Sequence, residues 1–279
     1  MNNLSKRVLS GLVLFSLLVL IIYAASSIDS KIGVYAIALI TLVIFWEFYQ
    51  FFEKKLIGFV FLLSSILSMI LITIIPNIIF YFIIISSLIW ALMSIRIIVF
   101  DNPRMNTIEL FVLGYLLIFP SFISAIFIYG NWSPSILLLI IFGVSVADTS
   151  AYFIGKKLGK TKLLANTSPG KTLEGLIGAC VITPIFLALI AFFLDYQFIG
   201  FFIFGLILTP ISFLGDIVFS YVKRSRDKKD SSNLIPGHGG FIDLLDGTIA
   251  VLTFFWMFAL YPTGRIGEII YENFLIYLI

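Results

Sequence analysis

Charge, cysteine and histidine are all scarce in this sequence. Charged residues make up 12% of the 279 residues, whereas about a quarter is usual for a soluble domain. The only cysteine, Cys180, excludes an internal disulfide and a metal site built from cysteines. The only histidine is His238. The functional groups that remain available are mostly carboxylates, lysines and arginines.

Apolar residues fill most of the sequence instead. They make up 61% of the chain, and the mean hydropathy is +1.13. A soluble core of this length could not bury so many apolar side chains, so lipid must be the solvent for much of the chain. We therefore predict an all-α fold, a polytopic integral membrane bundle of helices.

Nine apolar runs have the length of a membrane span. They cover residues 8–26, 33–52, 57–75, 77–99, 109–129, 133–155, 173–194, 198–222 and 241–261. The first run has a basic start like that of a signal peptide, but it is longer than a usual signal core, so we expect an uncleaved anchor. Residues 266–279 are too few to span, and we expect them in the interface or packed on the bundle.

Lysine and arginine predict the orientation of these spans. If the N-terminus is cytoplasmic, 16 of the 18 basic residues lie in inner connections, and only Lys31 and Arg265 lie outside. We expect one membrane domain, 1–279, with mainly structural spans in 1–130. Residues 131–265 would carry the catalytic spans and two long cytoplasmic loops, at 155–172 and 223–240.

Acidic residues inside apolar runs are functional candidates, because a charge within a membrane is expensive. Asp148 and Asp216 lie within predicted spans, and Asp243 and Asp246 lie at the entry to the last one. Glu47 lies near the inner end of the second run. For Glu47 we favour a structural interpretation, an interfacial or inter-helix hydrogen bond.

Asp216 begins a polar stripe along one helix face. The stripe continues at positions i+4, i+7 and i+8 with Ser220, Lys223 and Arg224. It places a carboxylate in the membrane below a hydroxyl and two cations at the cytoplasmic rim. A structural salt bridge between helices would explain Asp216 and one basic partner, but not the whole stripe.

Asp243 and Asp246 predict a cation between them. They lie one helical turn apart on one face, where two carboxylates repel each other unless a positive charge separates them. Carboxylate oxygens suit Mg²⁺, which also bridges to substrate phosphates. With Asp216 opposite, we predict a metal site formed by Asp216, Asp243 and Asp246.

The loop before Asp243 ends in Pro236-Gly237-His238-Gly239-Gly240, and Gly239 and Gly240 are the glycines that matter most. These two glycines permit close approach of a ligand and offer backbone N–H groups to phosphate at a helix start. His238 has two open interpretations: it satisfies a backbone group, or it contacts phosphate or shuttles a proton.

Lys171 precedes the start of another predicted helix. An ammonium group and a helix N-terminus both favour an anion, so Lys171 is a candidate for phosphate binding. The segment Gly170-Lys171-Thr172 is not a P-loop, because Ala165 stands where that motif needs glycine. Thr172 with Glu174 could also cap the helix.

Cations, glycine amides and metal-binding carboxylates at a bilayer surface are typical of phosphoryl or nucleotidyl transfer. A substrate that is itself a lipid phosphate would explain why the site lies partly within the membrane.

The segment 220–246 resembles the signature of the phosphatidate cytidylyltransferase family, also called CDP-diacylglycerol synthases. The resemblance rests on the S-x-x-K-R start, the K-D pair, the P-G-H-G-G turn and the final D-x-x-D, all at the family's spacing. The segment 148–175 is similar to the family's second signature region. Two positions depart from the family: Leu244 replaces an arginine, and Gly170 replaces a lysine. Each departure removes a cation near the expected phosphates.

The resemblance implies that CTP and phosphatidic acid react to give CDP-diacylglycerol and pyrophosphate, with Mg²⁺ and with or without a second cation. It implies that Asp216 and Asp243 bind metal and that Asp246 assists. The catalytic set is completed by Lys223 and His238. The phosphate-binding set consists of Ser220, Lys223, Arg224, Lys171, Gly239 and Gly240, with Asp148 carried over to the same site.

The resemblance also implies partners and a location. We expect a homodimer in the inner membrane, with the active site on the cytoplasmic side. CTP, phosphatidic acid and membrane lipids are the expected partners, and no nucleic acid is expected.

Three other functions compete with this one. A CDP-alcohol phosphotransferase would carry arginine in D-G-x-x-A-R, but Val251 stands at that position. A transporter or channel would spread its charges along a pathway, whereas these charges gather near the cytoplasmic ends of the last spans. A catalytically degenerate homologue with a binding or scaffolding role is the third alternative, which Leu244 and Gly170 leave open.

Overall fold

The computed structural model describes residues 20, 30–71, 78–131, 134–235, 237 and 239–259. These residues form eight α-helices and one short hairpin. The helices are α1 Ser30–Tyr49, α2 Lys55–Leu71, α3 Ile78–Phe100, α4 Thr107–Asn131, α5 Pro134–Leu158, α6 Leu173–Phe193, α7 Phe198–Arg224 and α8 Phe241–Ala259. The hairpin lies between α5 and α6 and consists of β1 Lys162–Leu164 and β2 Ser168–Thr172.

The helices follow the predicted apolar runs closely. Each of the eight coincides with one predicted run, and the remaining run, 8–26, lies outside the described residues apart from Leu20. The segment 266–279 also lies outside them. Six of the described helices, α1, α3, α4, α5, α6 and α7, are long and apolar enough to cross a membrane. The chain is therefore a multi-pass, nearly all-α membrane protein, but a count of nine spans is not confirmed.

The apolar runs become helices because lipid offers no partner to backbone N–H and C=O groups. Several hydroxyl side chains inside the helices are satisfied in the same local way. Thr41, Ser65, Ser94 and Thr209 each donate a hydrogen bond to the carbonyl four residues earlier. These hydroxyls are therefore buried without needing a partner on another helix.

Helix α8 lies between the two halves of the bundle. Helices α5, α6, α7 and α8 pack in order, each against the next, and α8 also contacts α4, α3 and α1. On one side is an aromatic core that includes Phe45, Phe48 and Phe61, in which the rings of Phe45 and Phe61 meet edge to face at 5.8 Å. On the other side is a largely aliphatic core that includes Ile140 and Leu208.

Two glycines allow α7 and α8 to approach closely. A Cβ atom on Gly215 would lie 2.9 Å from the Cα of Gly247 and 2.9 Å from the Cβ of Ala250, and it would overlap the carbonyl oxygen of Asp246. Small residues at such interfaces let helix backbones approach. Because Asp216 follows Gly215 and Asp246 precedes Gly247, this contact brings the two carboxylates together.

Among the described residues, the hairpin is the one element that the sequence did not predict. Its strands pair antiparallel, with Lys162 opposite Thr172 and Leu164 opposite Ser168, and the register is irregular between these pairs. Strands of three and five residues are too short to show a period of two in the sequence. The hairpin positions Lys171 beside α7.

We predict that Gly215→Ala destabilises the protein by about 1–3 kcal/mol, the usual cost of overpacking a core. The added methyl group would push α7 and α8 apart. Gly130→Ala in α4 is the matched control, because a Cβ there meets no atom within 4 Å and alanine favours a helix. Thermal unfolding in detergent should show a lower Tm for Gly215→Ala alone, and equal Tm values for both variants would contradict the close contact.

Candidate active site

A cavity of about 180 Å³ lies between α5, β2, α6 and α7. Its charged lining is Asp148, Lys171 and Asp216. The rest of its wall is mostly small or apolar and includes Ala147, Ala151, Leu176, Ala179 and Phe213. A charged group and an apolar group could therefore both be accommodated, at different walls.

An ion pair between Lys171 and Asp216 forms the charged end of this cavity. The two side chains are 18% and 28% exposed, so the pair is mostly buried but reachable from the cavity. The ammonium group also lies 4.6 Å from the centre of the Phe213 ring. Asp148 interacts electrostatically with both members of the pair. One lysine on the hairpin therefore faces two carboxylates on two helices.

A second ion pair lies deeper, at the α7–α8 contact. Lys223 Nζ is 2.5 Å from Asp243 Oδ1, and the side chains are 9% and 7% exposed. Asp246 is buried and interacts electrostatically with Lys223 and Asp216. Lys223 therefore supplies the positive charge that Asp243 and Asp246 were expected to need.

Asp243 is held by the loop as well as by Lys223. Its Oδ2 accepts hydrogen bonds from Ser231 N at 2.7 Å and Gly240 N at 2.9 Å, and it also lies 2.9 Å from Ser231 Oγ. Gly239, whose φ of +105° favours glycine, donates its N–H to Ile235 O at 3.0 Å. The amides of Gly239 and Gly240 are thus engaged within the chain. Phosphate binding by the amides of Gly239 and Gly240 stays a prediction. It would require these amides to give up their present hydrogen bonds and donate to phosphate instead.

The remaining predicted site residues differ in their surroundings. Arg224 Nη1 donates to Lys228 O at 3.2 Å and so closes the end of α7. Ser220 is half-buried on the same helix. His238 lies outside the described residues, so both interpretations of its role stay open.

The hairpin that carries Lys171 is fastened at its turn. The carboxylate of Asp101 accepts from Asn166 N at 2.7 Å and from Thr167 N at 2.9 Å. Asn166 Nδ2 also donates to Asp101 O at 2.8 Å. Partial burial acts to raise the pKa of Asp101, but the hydrogen bonds from Asn166 and Thr167 outweigh it and hold that pKa below its ordinary value.

The other end of the hairpin is fastened at α6. Thr172 Oγ1 accepts from Gly175 N at 3.2 Å and caps the helix, as the sequence predicts. Glu174 accepts from Lys160 N at 3.0 Å and from Thr161 Oγ1 at 2.9 Å. It therefore ties the preceding loop to α6, and Lys171 is presented by a hairpin held at both ends.

Three residues at the site were not predicted as part of it: Glu47, Asp101 and Ser231. Glu47 had a signal, an acid in an apolar run, but we favoured a structural hydrogen bond for it. Asp101 lies in a polar connection and Ser231 in a polar loop, where such residues are expected anyway. Only their partners, far away in the sequence, distinguish them.

The net charge of the site is relevant to whether it could bind a metal ion. Four carboxylates share two ammonium groups: Asp148, Asp216, Asp243 and Asp246 with Lys171 and Lys223. When all are ionised, two negative charges are left over, and the donors are oxygens, which suits a divalent cation such as Mg²⁺. Within the part of the chain that is described, however, no three Asp, Glu, His or Cys side chains are arranged to hold a metal ion. The structure groups Asp216 with Asp246 and Asp148, and it pairs Asp243 with Lys223.

Comparison with known proteins finds one family model and several relatives that all share one name. The model of the cytidylyltransferase family matches residues 5–261. A phosphatidate cytidylyltransferase of Haemophilus influenzae is 42% identical over 130 residues, which are 44% of this chain and 45% of the relative. The proteins of the same name from Aquifex aeolicus and Bacillus subtilis are 32% and 40% identical over 61% and 39% of this chain. These matches cover 65% and 41% of the two relatives, so each relative is matched over less than two thirds of its length.

We predict that Lys223→Met destabilises the fold by about 3–5 kcal/mol, the range for a buried ion pair that loses one partner. Asp243 and Asp246 would then face each other without a counter-charge. The double variant Lys223→Met, Asp243→Asn should be less destabilised than Lys223→Met alone, because one of the two carboxylates is neutralised. Unfolding in detergent measures Lys223→Met, Asp243→Asn and the double variant, with the exposed Lys157→Met as control. Strictly additive effects would contradict the coupling.

We also predict that Asp101→Asn loosens the hairpin. The substitution puts an NH₂ group opposite backbone donors, so the amides of Asn166 and Thr167 should exchange hydrogen faster. Asp195→Asn is the matched control, because both aspartates have positive φ, 37° and 58°, which asparagine tolerates. Unchanged exchange at Asn166 and Thr167 in Asp101→Asn would contradict the role of Asp101.

The contact between Asp101 and the amides of Asn166 and Thr167 should weaken in one direction of pH only. Because folding lowers the pKa of Asp101, the contact stabilises the hairpin above the unfolded pKa of about 3.9. The stabilisation should be lost only as the pH falls through the folded value. Protection of Asn166 and Thr167 should therefore be the same at pH 7 and pH 5, after correction for intrinsic exchange.

Proposed function

The chain belongs to the cytidylyltransferase family, and we propose that it transfers a cytidylyl group from CTP to phosphatidic acid. The products are CDP-diacylglycerol, for phospholipid biosynthesis, and pyrophosphate. The relatives described above are named for this activity. The observation that carries the proposal is the cavity in which Lys171 meets Asp216 among helices that can span a membrane.

The chemistry needs charge neutralisation more than it needs a protein nucleophile. An oxygen of the lipid phosphate attacks the α-phosphorus of CTP, a new P–O bond forms, and the bond to the β-phosphate breaks. The attacking group is already an anion, so alignment and compensation of negative charge are the main requirements. Lys171 and Lys223 supply positive charge from fixed positions, because each is held by an aspartate.

A divalent cation, Mg²⁺ with or without a second cation, would neutralise charge on the transferred phosphate. Asp216 and Asp246 are the carboxylates best placed to hold it, since they interact with each other across the α7–α8 contact. Asp243 would join them by exchanging its ion pair with Lys223. The two unbalanced negative charges of the cluster support this assignment.

The cavity is assigned to the lipid phosphate. Its volume of about 180 Å³ is below the roughly 300–1,000 Å³ of pockets for whole ligands, so it suits a phosphate group rather than a nucleotide. Its apolar wall, which includes Leu176 and Phe213, lies on helices that can cross the membrane. CTP is assigned to the polar side, where the segment 225–235 follows α7.

The two departures from the family affect this assignment differently. Gly170 lines the cavity, and a Cβ there would meet no atom within 4 Å. The cavity is therefore open where the family carries a lysine, and Lys171 supplies the neighbouring cation. Leu244 follows Asp243 on α8, where Lys223 is the nearby cation.

The site faces the cytoplasm in this proposal. Lys156 and Lys157 end α5, and Lys223 and Arg224 end α7, on the side where the hairpin and the loop lie. Basic residues mark the cytoplasmic ends of spans. The proposal places the protein in the inner membrane, as a homodimer with CTP, phosphatidic acid and membrane lipids as partners.

The first test is pyrophosphate release by the purified protein in detergent with CTP and phosphatidic acid, with and without Mg²⁺. We expect release that requires both substrates and the metal. Asp216→Asn and Asp243→Asn should each lower kcat by about 100-fold or more, the scale of losing a charge-stabilising group. Asp195→Asn, an exposed acid at the other end of α6, should leave the rate unchanged.

Two outcomes would overturn this proposal. One is no release from a well-folded native sample with either CTP or dCTP. The other is release that is equally fast in Asp195→Asn and Asp216→Asn. The first outcome would favour a degenerate homologue with a binding role.

A further inference from the structure

We propose that Glu47 of α1 is a positioning residue for the site. It holds the start of α8 and the segment Ser231–Ser232, and through them it fixes Asp243 and Lys223. The kinetic part of this inference rests on the proposed function, whereas the structural part does not.

Glu47 is fully buried, and both of its oxygens are used. Oε1 accepts from Phe241 N at 2.8 Å and from Ser232 Oγ at 2.8 Å. Oε2 accepts from Ile242 N at 2.8 Å and from Ser231 Oγ at 2.9 Å. A buried carboxylate is costly unless such bonds compensate for the lost water. Four donors around one side chain constitute a built site rather than a chance contact.

The charge of Glu47 is balanced by the helix that it caps. Among the described residues, the structure gives Glu47 no ion pair with a basic side chain. Instead of a basic side chain, the positive end of the α8 dipole and two amides of its first turn stabilise the negative charge of Glu47. A capping residue normally lies at the start of its own helix, but Glu47 precedes Phe241 by 194 positions. The start of α8 therefore depends on α1.

Ser231 connects Glu47 to the catalytic groups. Its Oγ lies 2.9 Å from Glu47 Oε2 and 2.9 Å from Asp243 Oδ2. Its backbone N donates to Asp243 Oδ2 at 2.7 Å. Asp243 in turn holds Lys223 at 2.5 Å. A displacement of Glu47 would thus be transmitted to Lys223 through Ser231 and Asp243.

Gly240 shows how closely this contact is packed. A Cβ on Gly240 would lie 2.5 Å from Glu47 Oε2 and would overlap Ser231 Oγ. A side chain at this position would have to displace the Glu47 carboxylate or the Ser231 hydroxyl. The glycine at 240 therefore leaves room for this contact, independently of any role in binding phosphate.

The structural test is hydrogen exchange on the full-length protein in detergent, comparing Glu47→Gln with the native chain. Glutamine keeps the size but replaces one acceptor oxygen by a donor group. Amides in 231–235 and 241–242 should exchange more than about tenfold faster, since bonds to charged groups are among the strongest. Amides in the middle of α7 should keep their protection. Glu53→Gln is the matched control, because Glu53 is 80% exposed and makes an ion pair with Arg226.

The kinetic test uses the same variants and adds Ser231→Ala. We expect Glu47→Gln to lower kcat for CTP at least tenfold while the KM for phosphatidic acid changes less than threefold. Ser231→Ala should lower kcat while Phe241 and Ile242 keep their slow exchange. It removes the hydroxyl between Glu47 and Asp243 but leaves the bonds that Phe241 N and Ile242 N donate to Glu47. Glu47→Asp, which keeps the charge, should recover more activity than Glu47→Gln.

Three results would overturn the inference. The first is unchanged exchange in 231–235 and 241–242 for a folded Glu47→Gln protein. The second is faster exchange throughout α7 and α8 alike, which would make Glu47 a residue of general stability. The third is a kcat for Glu47→Gln equal to that of Glu53→Gln. If the native protein releases no pyrophosphate at all, the proposed function fails, and the exchange data alone decide whether Glu47 holds the loop.

Discussion

The compensation of buried negative charge is the constraint on which this structure depends. Acidic side chains meet inside a bundle of membrane helices, where water is scarce and a lone carboxylate is costly. Lys223 and Lys171 offset part of that charge, from α7 and from the hairpin. Three other contacts keep these charged side chains close to one another. They are the glycine contact between α7 and α8, the hydrogen bonds that hold the hairpin at both ends, and the capping of α8. The fold is therefore organised around the electrostatics of the site.

Much of the fold could be predicted from the sequence because lipid restricts a chain to few solutions. A long apolar run in a membrane must be a helix, and the eight described helices lie where such runs lie. The choice of Asp148, Asp216 and Asp246 as unusual residues was equally direct, because acids are rare in such runs. The spacing of Asp216 and Lys223 on one face correctly placed both on the helix that borders the site.

The pairing of these charges could not be predicted in the same way. Spacing shows that Asp243 and Asp246 need a cation between them, but not that Lys223 provides it. The hairpin was missed because its strands are too short for a pattern, although it decides where Lys171 lies. Glu47 was expected to make an interfacial or inter-helix hydrogen bond. The structure shows the inter-helix kind, but its donors are almost two hundred positions away. Contacts of this sort arise from packing and leave no local trace in the sequence.

The dependence of α8 on Glu47 has a consequence for biosynthesis. During translation α1 enters the bilayer long before α8 has left the ribosome, since nearly two hundred residues separate them. For that interval the side chain of Glu47 has none of the four donors that later surround it. When α8 is inserted, Glu47 of α1 gains its donors and the start of α8 gains its cap at the same time. Formation of the contacts between Glu47 and the start of α8 is thus coupled to synthesis of the last described helix. A chain released before α8 is made leaves Glu47 in its second apolar run without these partners.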